Sequence, residues 1–500
     1  MNFRRAVFVL LVVLLGFAVR PLSAAPADPL PLARVHWLGL KTIGVDTNAT
    51  QFLHVWQLPQ TAALVAQTLD KISRLPAAAN TNAAALLRPL LDDLVTSEFY
   101  LEVCGSTNSG SEIQNRKSQI VNRKFLLALR LPADRARLWQ TNLPAALPAA
   151  VVSQSGDWTL IGLGTNGSPA VSPVPRHASL SNIWLEADFT PSCLAAVDPS
   201  FLSLVTRHAS LSHVHLTLTG EAGNVITRAT LDFSQPLNLT LPPWEIPTNL
   251  IHQPLTSFTA VRGLAPWLAT LPAWQKLSSN PPPTQMFCWA KVQAGGPYAT
   301  YFAAPLPDAS NRLSQLAAGL VSNANPWLAT HGQGSFQSNS RLPGLVWNDA
   351  FILEPFLKAV TVNGRDYALG GLIPCPAGDP NPPPTDMFHA VLDTTNLVYY
   401  QAEQTGDRIE DFLFITQSFR VIFNRPQLPA KSAATVWLKN LEPLLAGSTT
   451  LVTQAGPDKL AIKRKSSIGI TALELHLLAD WLESPQFPRG LHTFLAPPDQ

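Results

Sequence analysis

The sequence predicts an α+β fold made of repeated units, each an antiparallel β-hairpin assembly with helices packed on one face, two or three units in tandem. Three observations predict it. Short stretches with apolar residues at alternate positions are interleaved with stretches of helical spacing, which is a layered pattern of strands and helices. An octapeptide is nearly copied, as NPPPTQMF at Asn280–Phe287 and NPPPTDMF at Asn381–Phe388. The chain of 500 residues has room for about three units of roughly 150 residues each.

The N-terminus reads MNFRRAVFVLLVVLLGFAVRPLSAAPADP. Arg4 and Arg5 form a basic start, Ala6 to Val19 an apolar run, and Ser23, Ala24 and Ala25 the small residues of a cleavage site. Residues 1–24 are therefore expected to be a signal peptide. The run is shorter than the roughly 20 apolar residues of a comfortable span. An uncleaved anchor is the alternative. The expected location is the periplasm or the extracellular space, with no integral membrane span after cleavage.

Residues 25–167 read as the first unit. Phe52–Leu58 (FLHVWQL) is expected as a strand ended by Pro59, with Thr61 as the N-cap of the following helix. A second helix covers about Ala83–Val95. Phe99–Cys104 and Lys124–Leu131 look like the arms of a hairpin. Asp134 opens a helix, and Trp158–Ile161 is a closing strand. The hairpin carries an insertion at 105–124, within which IQNRK and IVNRK repeat. Its basic residues lack aromatic neighbours that could stack on bases, so it reads as a tolerated loop insertion.

Residues 168–241 read as a mostly β segment. RHASLS occurs twice, at Arg176–Ser181 and Arg207–Ser212, each copy leading into a strand. SHVHLTLTG alternates cleanly, and Glu221-Ala222-Gly223 turns it into VITRATLDF. Residues 242–279 read as a Pro-rich linker that plugs into the core. Residues 280–380 and 381–500 read as two further units. Each is expected to enter a hairpin through its proline-stiffened octapeptide, since proline cannot donate to a sheet ladder and marks a strand start. Helices are expected at Ala309–Leu320, Asp407–Phe414 and Ala433–Leu445, the last stopped by Gly447. Ser448–Thr453 and Lys459–Ile470 are expected to pair, with Lys463, Arg464 and Lys465 on a solvated edge. Thr471 and Glu474 form a capping box before a helix burying Leu477, Leu478, Trp481 and Leu482.

Charge and motifs exclude several function classes. Charged residues make up 14% of the chain. Removing residues 1–24 leaves 32 basic against 33 acidic residues, which gives no field for nucleic acid or an anionic membrane. Gly162–Gly167 matches G-x-G-x-x-G, but Ser168–Pro175 follows and cannot start the helix that a dinucleotide needs. Asp92 and Asp93 are adjacent on a helix, so they point apart and are no catalytic pair. No nucleophile elbow, P-loop or H-E-x-x-H is present. The loop His331–Ser335, before a strand, could hold a Ser-His pair, but such sites are recognised by geometry and not by sequence order. No catalytic residue and no cofactor is expected.

Two weaker signals stand out. His213 and His215 lie two apart on a strand, so both imidazoles fall on one face, as a metal requires. They are the candidate metal ligands, although no metal is expected because the sequence supplies no third ligand beside them. His208 sits in the preceding loop. Trp184, Trp244, Trp267, Trp274, Trp289 and Trp347 could line a groove for a sugar, or could be packing. The cysteines Cys104, Cys193, Cys288 and Cys375 are widely spaced and allow at most one expected bridge, or four thiols.

With its signal peptide, its plan of elements at Phe52–Ile161 and the echoes after Met286 and Met387, the chain resembles uncharacterised exported proteins of Gram-negative bacteria built from repeated α+β units. The resemblance carries no functional residue over. The expected role is a non-catalytic binding or structural protein of the envelope or the medium, contacting a protein or a cell-surface component. The alternative is an exported hydrolase acting on polysaccharide or peptide in a cleft between units.

Overall fold

A computed structural model describes residues 30–75, 82–105, 123–163, 182–191, 210–270, 275, 281–291, 299–331, 334–339, 344–349, 353–374, 381–422, 429–484 and 487–488. The expected signal peptide, nearly all of the repeated basic tract, the first RHASLS copy, His208, Trp274, Cys193 and Cys375 lie outside the described residues. Cys104 and Cys288 are thiols.

The first half of the chain runs β1 (Leu30–Trp37), α1 (Leu40–Ile43), α2 (Thr50–Trp56), α3 (Pro59–Ser73), α4 (Ala83–Thr96), β2 (Phe99–Gly105), β3 (Arg123–Arg130), α5 (Ala133–Ala146), β4 (Ala150–Ser155), β5 (Trp158–Leu163), β6 (Ile183–Phe189), β7 (Leu211–Glu221) and β8 (Asn224–Phe233). The second half runs β9 (Leu255–Arg262), α6 (Ala265–Ala269), β10 (Gln285–Lys291), β11 (Thr300–Pro305), α7 (Ala309–His331), β12 (Ser335–Asn339), β13 (Gly344–Asn348), β14 (Phe356–Val362), β15 (Arg365–Gly371), α8 (Thr385–Leu392), β16 (Leu397–Gln404), α9 (Thr405–Ile422), α10 (Ala433–Leu441), β17 (Gly447–Gly456), β18 (Lys459–Ser466) and α11 (Ala472–Glu483).

Helix and strand are mixed, and the 18 strands among the described residues join one antiparallel sheet, as the α+β class requires. From one edge the order is β4-β5-β3-β2-β1-β6-β7-β8, then β18-β17-β16-β9-β10-β11-β15-β14-β13-β12. The final strands of the two halves, β8 and β18, pair with each other. Arg228 stands opposite Lys463, each the fifth residue of its strand, and the pairing is symmetric about that point.

Two cores cover the sheet. The larger holds α2–α5 against β1, β2, β3, β6 and β7, and takes in Trp437 and Leu438 of α10 and Leu475, Leu478 and Trp481 of α11. C-terminal helices thus complete the N-terminal core. The Trp437 indole donates to the Thr61 hydroxyl at 2.9 Å, and that hydroxyl donates to the Val55 carbonyl at 2.7 Å. The second core lies on the other face of the sheet, under β9, β10, β11, β15 and β16, and is closed by α8 and by Trp244, Ile246, Leu250 and Ile251 of the segment before β9. On β16 the two faces meet. The Glu403 carboxylate accepts from the N–H of Ala472, the first residue of α11, at 2.8 Å, while Ala402 and Tyr400 pack with Phe258. The Thr471–Glu474 capping box is formed as expected.

Several elements differ from expectation, each for a local reason. FLHVWQL belongs to α2, with Phe52 and Val55 buried three apart, the helical spacing. Pro59 opens α3 at its first position, which proline tolerates, so Thr61 lies inside that helix rather than capping it. The two octapeptides lead to different elements. Gln285 enters β10, and its buried amide accepts from the Glu245 N–H at 3.0 Å and donates to the Pro243 carbonyl at 3.1 Å. The second copy has Asp386 there instead, in the first turn of α8, where its charge suits the helix dipole; Phe388 and Val391 are buried three apart. MFHAVLD is therefore a helix and not a strand. α10 ends at Leu441, and Gly447 begins β17 rather than stopping the helix. Lys463, Arg464 and Lys465 are not on an edge, since β18 is paired on both sides. Arg464 is buried and clasps Glu474 at 2.7 and 3.2 Å, while the two lysines are exposed on the other face. In α11, Leu475 and His476 are buried and Leu477 is partly exposed.

Candidate metal centre

Residues opposite one another in an antiparallel sheet share a face. One row therefore crosses the first half as Leu160, Ala128, Tyr100, His36, Glu186, Thr217 and Arg228. It continues across the second half as Lys463, Leu451, Tyr400, Ala260, Phe287, Ala303 and Leu369. Read outward from the Arg228–Lys463 pair, the outer positions match in kind, with alanine facing alanine and leucine facing leucine. The inner positions do not. The adjacent row holds Glu102, Arg34, Asp188 and His215 in the first half, and Trp289, Phe258 and Ala402 in the second. The second half buries this face under α8 and the segment before β9. In the first half the outer end of this face buries Tyr100, Ala128 and Leu160 beside Trp158, while the inner part is polar and partly exposed, with Arg34 at 62%, His213 at 41% and Asp188 at 38% side-chain exposure.

Ion pairs lace this polar face. Arg34 Nε donates to Glu102 at 3.0 Å. His36 lies 3.1 Å from Glu98 and stacks on Tyr100 with ring centres 4.1 Å apart. Arg130 donates to Glu98 at 2.8 Å and lies over the Trp158 ring.

His213 and His215 sit in the middle of this surface, on one face as their spacing predicts, and both approach the Asp188 carboxylate. His215 Nδ1 lies 2.9 Å from Asp188 Oδ1, and His213 Nε2 lies 3.5 Å from the same oxygen. A β-bulge between Leu211 and His213 sets His213 opposite Asp232 of β8. His213 Nδ1 is 3.4 Å from Asp232 Oδ2, and Lys459 Nζ is 3.0 Å from Asp232 Oδ1. Burial alone would raise the Asp232 carboxyl, but Lys459 and His213 outweigh it and hold the group below the usual carboxylate range. Glu186, two residues before Asp188 on β6, completes the cluster. Ligand atoms of Glu186, Asp188 and His215 all lie within 4.8 Å of one another. The third ligand absent from the local sequence is thus supplied by register, from the neighbouring strand. The one sequence signal for it was the E-x-D spacing inside WLEADF.

The other candidates do not converge. Asp92 is exposed beside Arg88, whereas Asp93 is buried and accepts from Arg135 at 2.7 Å and from the Trp139 indole at 2.9 Å. Gly162 and Leu163 end β5, and the rest of the glycine pattern lies outside the described residues. His331 ends α7 and Ser335 begins β12. Trp184 and Trp289 are core residues, Trp244 lies under Arg262, Trp347 packs on Phe336 and Trp267 is exposed. A small apolar cavity of about 30 Å³ lies among Leu87, Leu91, Phe125, Trp139 and Ile161, inside the core. Among the described residues no helix is long and apolar enough to cross a membrane. Comparison with protein-family models, with curated proteins and with solved structures finds no match.

Proposed function

We propose that this chain is an exported binding protein of the envelope or the medium, and that it holds a protein or cell-surface component against the polar sheet face of its first half. In this reading the chain contains two tandem copies of one eight-stranded hairpin unit, joined through β8 and β18, with β12 and β13 added to the second. The observation that carries it is the difference between matching positions. The second copy keeps Phe258, Trp289 and Tyr400 under its own cover, whereas the first carries Arg34, Glu102 and Glu186 at partly exposed positions. A broad face patterned with both charge signs suits recognition of an extended partner better than turnover of a small molecule.

The test is site-specific photo-cross-linking in the producing cell. A cross-linker replaces Arg228, which is exposed on this face, or Val436, which is exposed on α10. Adducts from position 228 alone, recovered in the envelope or medium fraction, are expected. Equal labelling from both positions, or none from 228, sinks the proposal. The carboxylates Glu186 and Asp188 keep the hydrolase alternative specific. Release of new chain ends from purified cell-wall polysaccharide or peptide, lost in Glu186→Gln, would replace binding with hydrolysis.

A further inference from the structure

We infer that Glu186, Asp188 and His215 form a site for one divalent first-row transition ion of the zinc class, with His213, 3.5 Å from Asp188, close enough to join them. This deepens the proposal above, because the ion would sit on the same face, but it stands on ligand geometry. Zinc bonds of about 2.0–2.2 Å in a tetrahedral arrangement place ligand atoms about 3.4 Å apart. Asp188 Oδ1 already lies 2.9 Å from His215 Nδ1 and 3.5 Å from His213 Nε2. Glu186 offers its oxygen within 4.8 Å of the Asp188 and His215 atoms. Two imidazoles with two carboxylates suit zinc or a similar ion; calcium takes six to eight oxygens instead.

Asp232 is an independent pointer to a ligand. Histidines that bind metal through one nitrogen commonly donate the other N–H to a carboxylate, which fixes tautomer and ring orientation. His213 has this arrangement. Its Nδ1 faces Asp232 at 3.4 Å and its Nε2 lies 3.5 Å from Asp188 Oδ1. Lys459 holds Asp232 in turn, from the other half of the chain. The mounting is rigid, since β6, β7 and β8 are each paired on both sides. Ala187, Val214 and Leu216 between the ligands are buried on the far face. Ligands fixed to paired strands keep their spacing better than ligands on loops.

The experiment uses the full chain stripped with a chelator. Zn²⁺ is titrated by calorimetry, and Co²⁺ is followed by the visible bands of a four-coordinate ion. One equivalent per chain is expected. Asp188→Asn and His215→Gln should weaken binding at least about a hundredfold. Asp232→Asn should weaken it about 10–100-fold while one equivalent still binds, the range found when the partner of a ligand is lost. His389→Gln, at an exposed histidine 4.0 Å from Asp393, should change nothing. Melting of the metal-free variants checks that each is folded. No saturable equivalent, or equal affinity in Asp188→Asn and His215→Gln, overturns the inference. Cross-linking at 228 without ion binding removes the ion and leaves the partner, and ion binding without cross-linking does the reverse.

Discussion

Acidification should unfold this protein through His476 in α11. The imidazole is fully buried, with Nε2 3.8 Å from Asp480 Oδ2, and Asp480 is itself bound by Arg420 at 2.7 Å. Burial first, and the Arg420 charge second, lower its pKa from 6.5 to about 4. The unfolded chain therefore takes up this proton at a higher pH than the folded one. Stability from the neutral imidazole is fully present above pH 6.5 and is lost as pH falls from there through 4. At 1.36 kcal/mol per pKa unit the loss reaches about 2 kcal/mol by pH 5 and about 3 kcal/mol by pH 4. Asp480 opposes part of this, because burial raises its carboxyl, so the informative quantity is a difference between variants. His476→Leu is close in volume and cannot protonate. Urea unfolding of both proteins between pH 7.5 and pH 4 should show wild type losing about 3 kcal/mol relative to the variant. Parallel stability curves for the two proteins would refute the argument, since the proton would then be taken up equally in both states.

Two further outcomes follow from the packing. Asp93→Ala strands the Trp139 indole and the Arg135 guanidinium that the carboxylate now joins, and should cost about 3–5 kcal/mol in urea unfolding, as for other broken buried pairs. Gly39 has φ of +84°, and a Cβ there would lie 2.6 Å from the Ser97 carbonyl carbon. Gly39→Ala should therefore lower the melting temperature, by at least the 1–2 kcal/mol of left-handed strain, whereas Gly156→Ala meets nothing within 4 Å and should cost only that strain.

Local patterns carried much of this fold. The alternation of SHVHLTLTG set β7 and put both histidines on one face; Thr471 and Glu474 marked the start of α11. Where the pattern was short, period and burial competed. FLHVWQL and MFHAVLD are apolar enough for strands, yet their buried residues fall three apart, and Asp386 in the first turn marks the second as a helix. Strand register was not legible. It alone brings Asp188 of β6 under both histidines and Asp232 behind one of them. The basic triplet at Lys463–Lys465 shows the same limit. Its charge suggests an edge, but β8, more than 200 residues earlier, covers it. A buried arginine then needs Glu474, from an element that follows in sequence.

The junction of β8 with β18 also sets the order in which the molecule can be finished. During synthesis the first half emerges with β8 as a bare edge, and its partner strand follows more than 200 residues later. The N-terminal core lacks Trp437, Leu475 and Leu478 until then, and the Thr61–Trp437 bond spans 376 residues. Non-local contacts of this kind must close long loops before they stabilise anything, so folding is slow and its intermediates expose an unpaired strand and an unfinished core. The chain is divided in half by its strand order but not by its folding. Neither half reaches its final state before residue 483 is available.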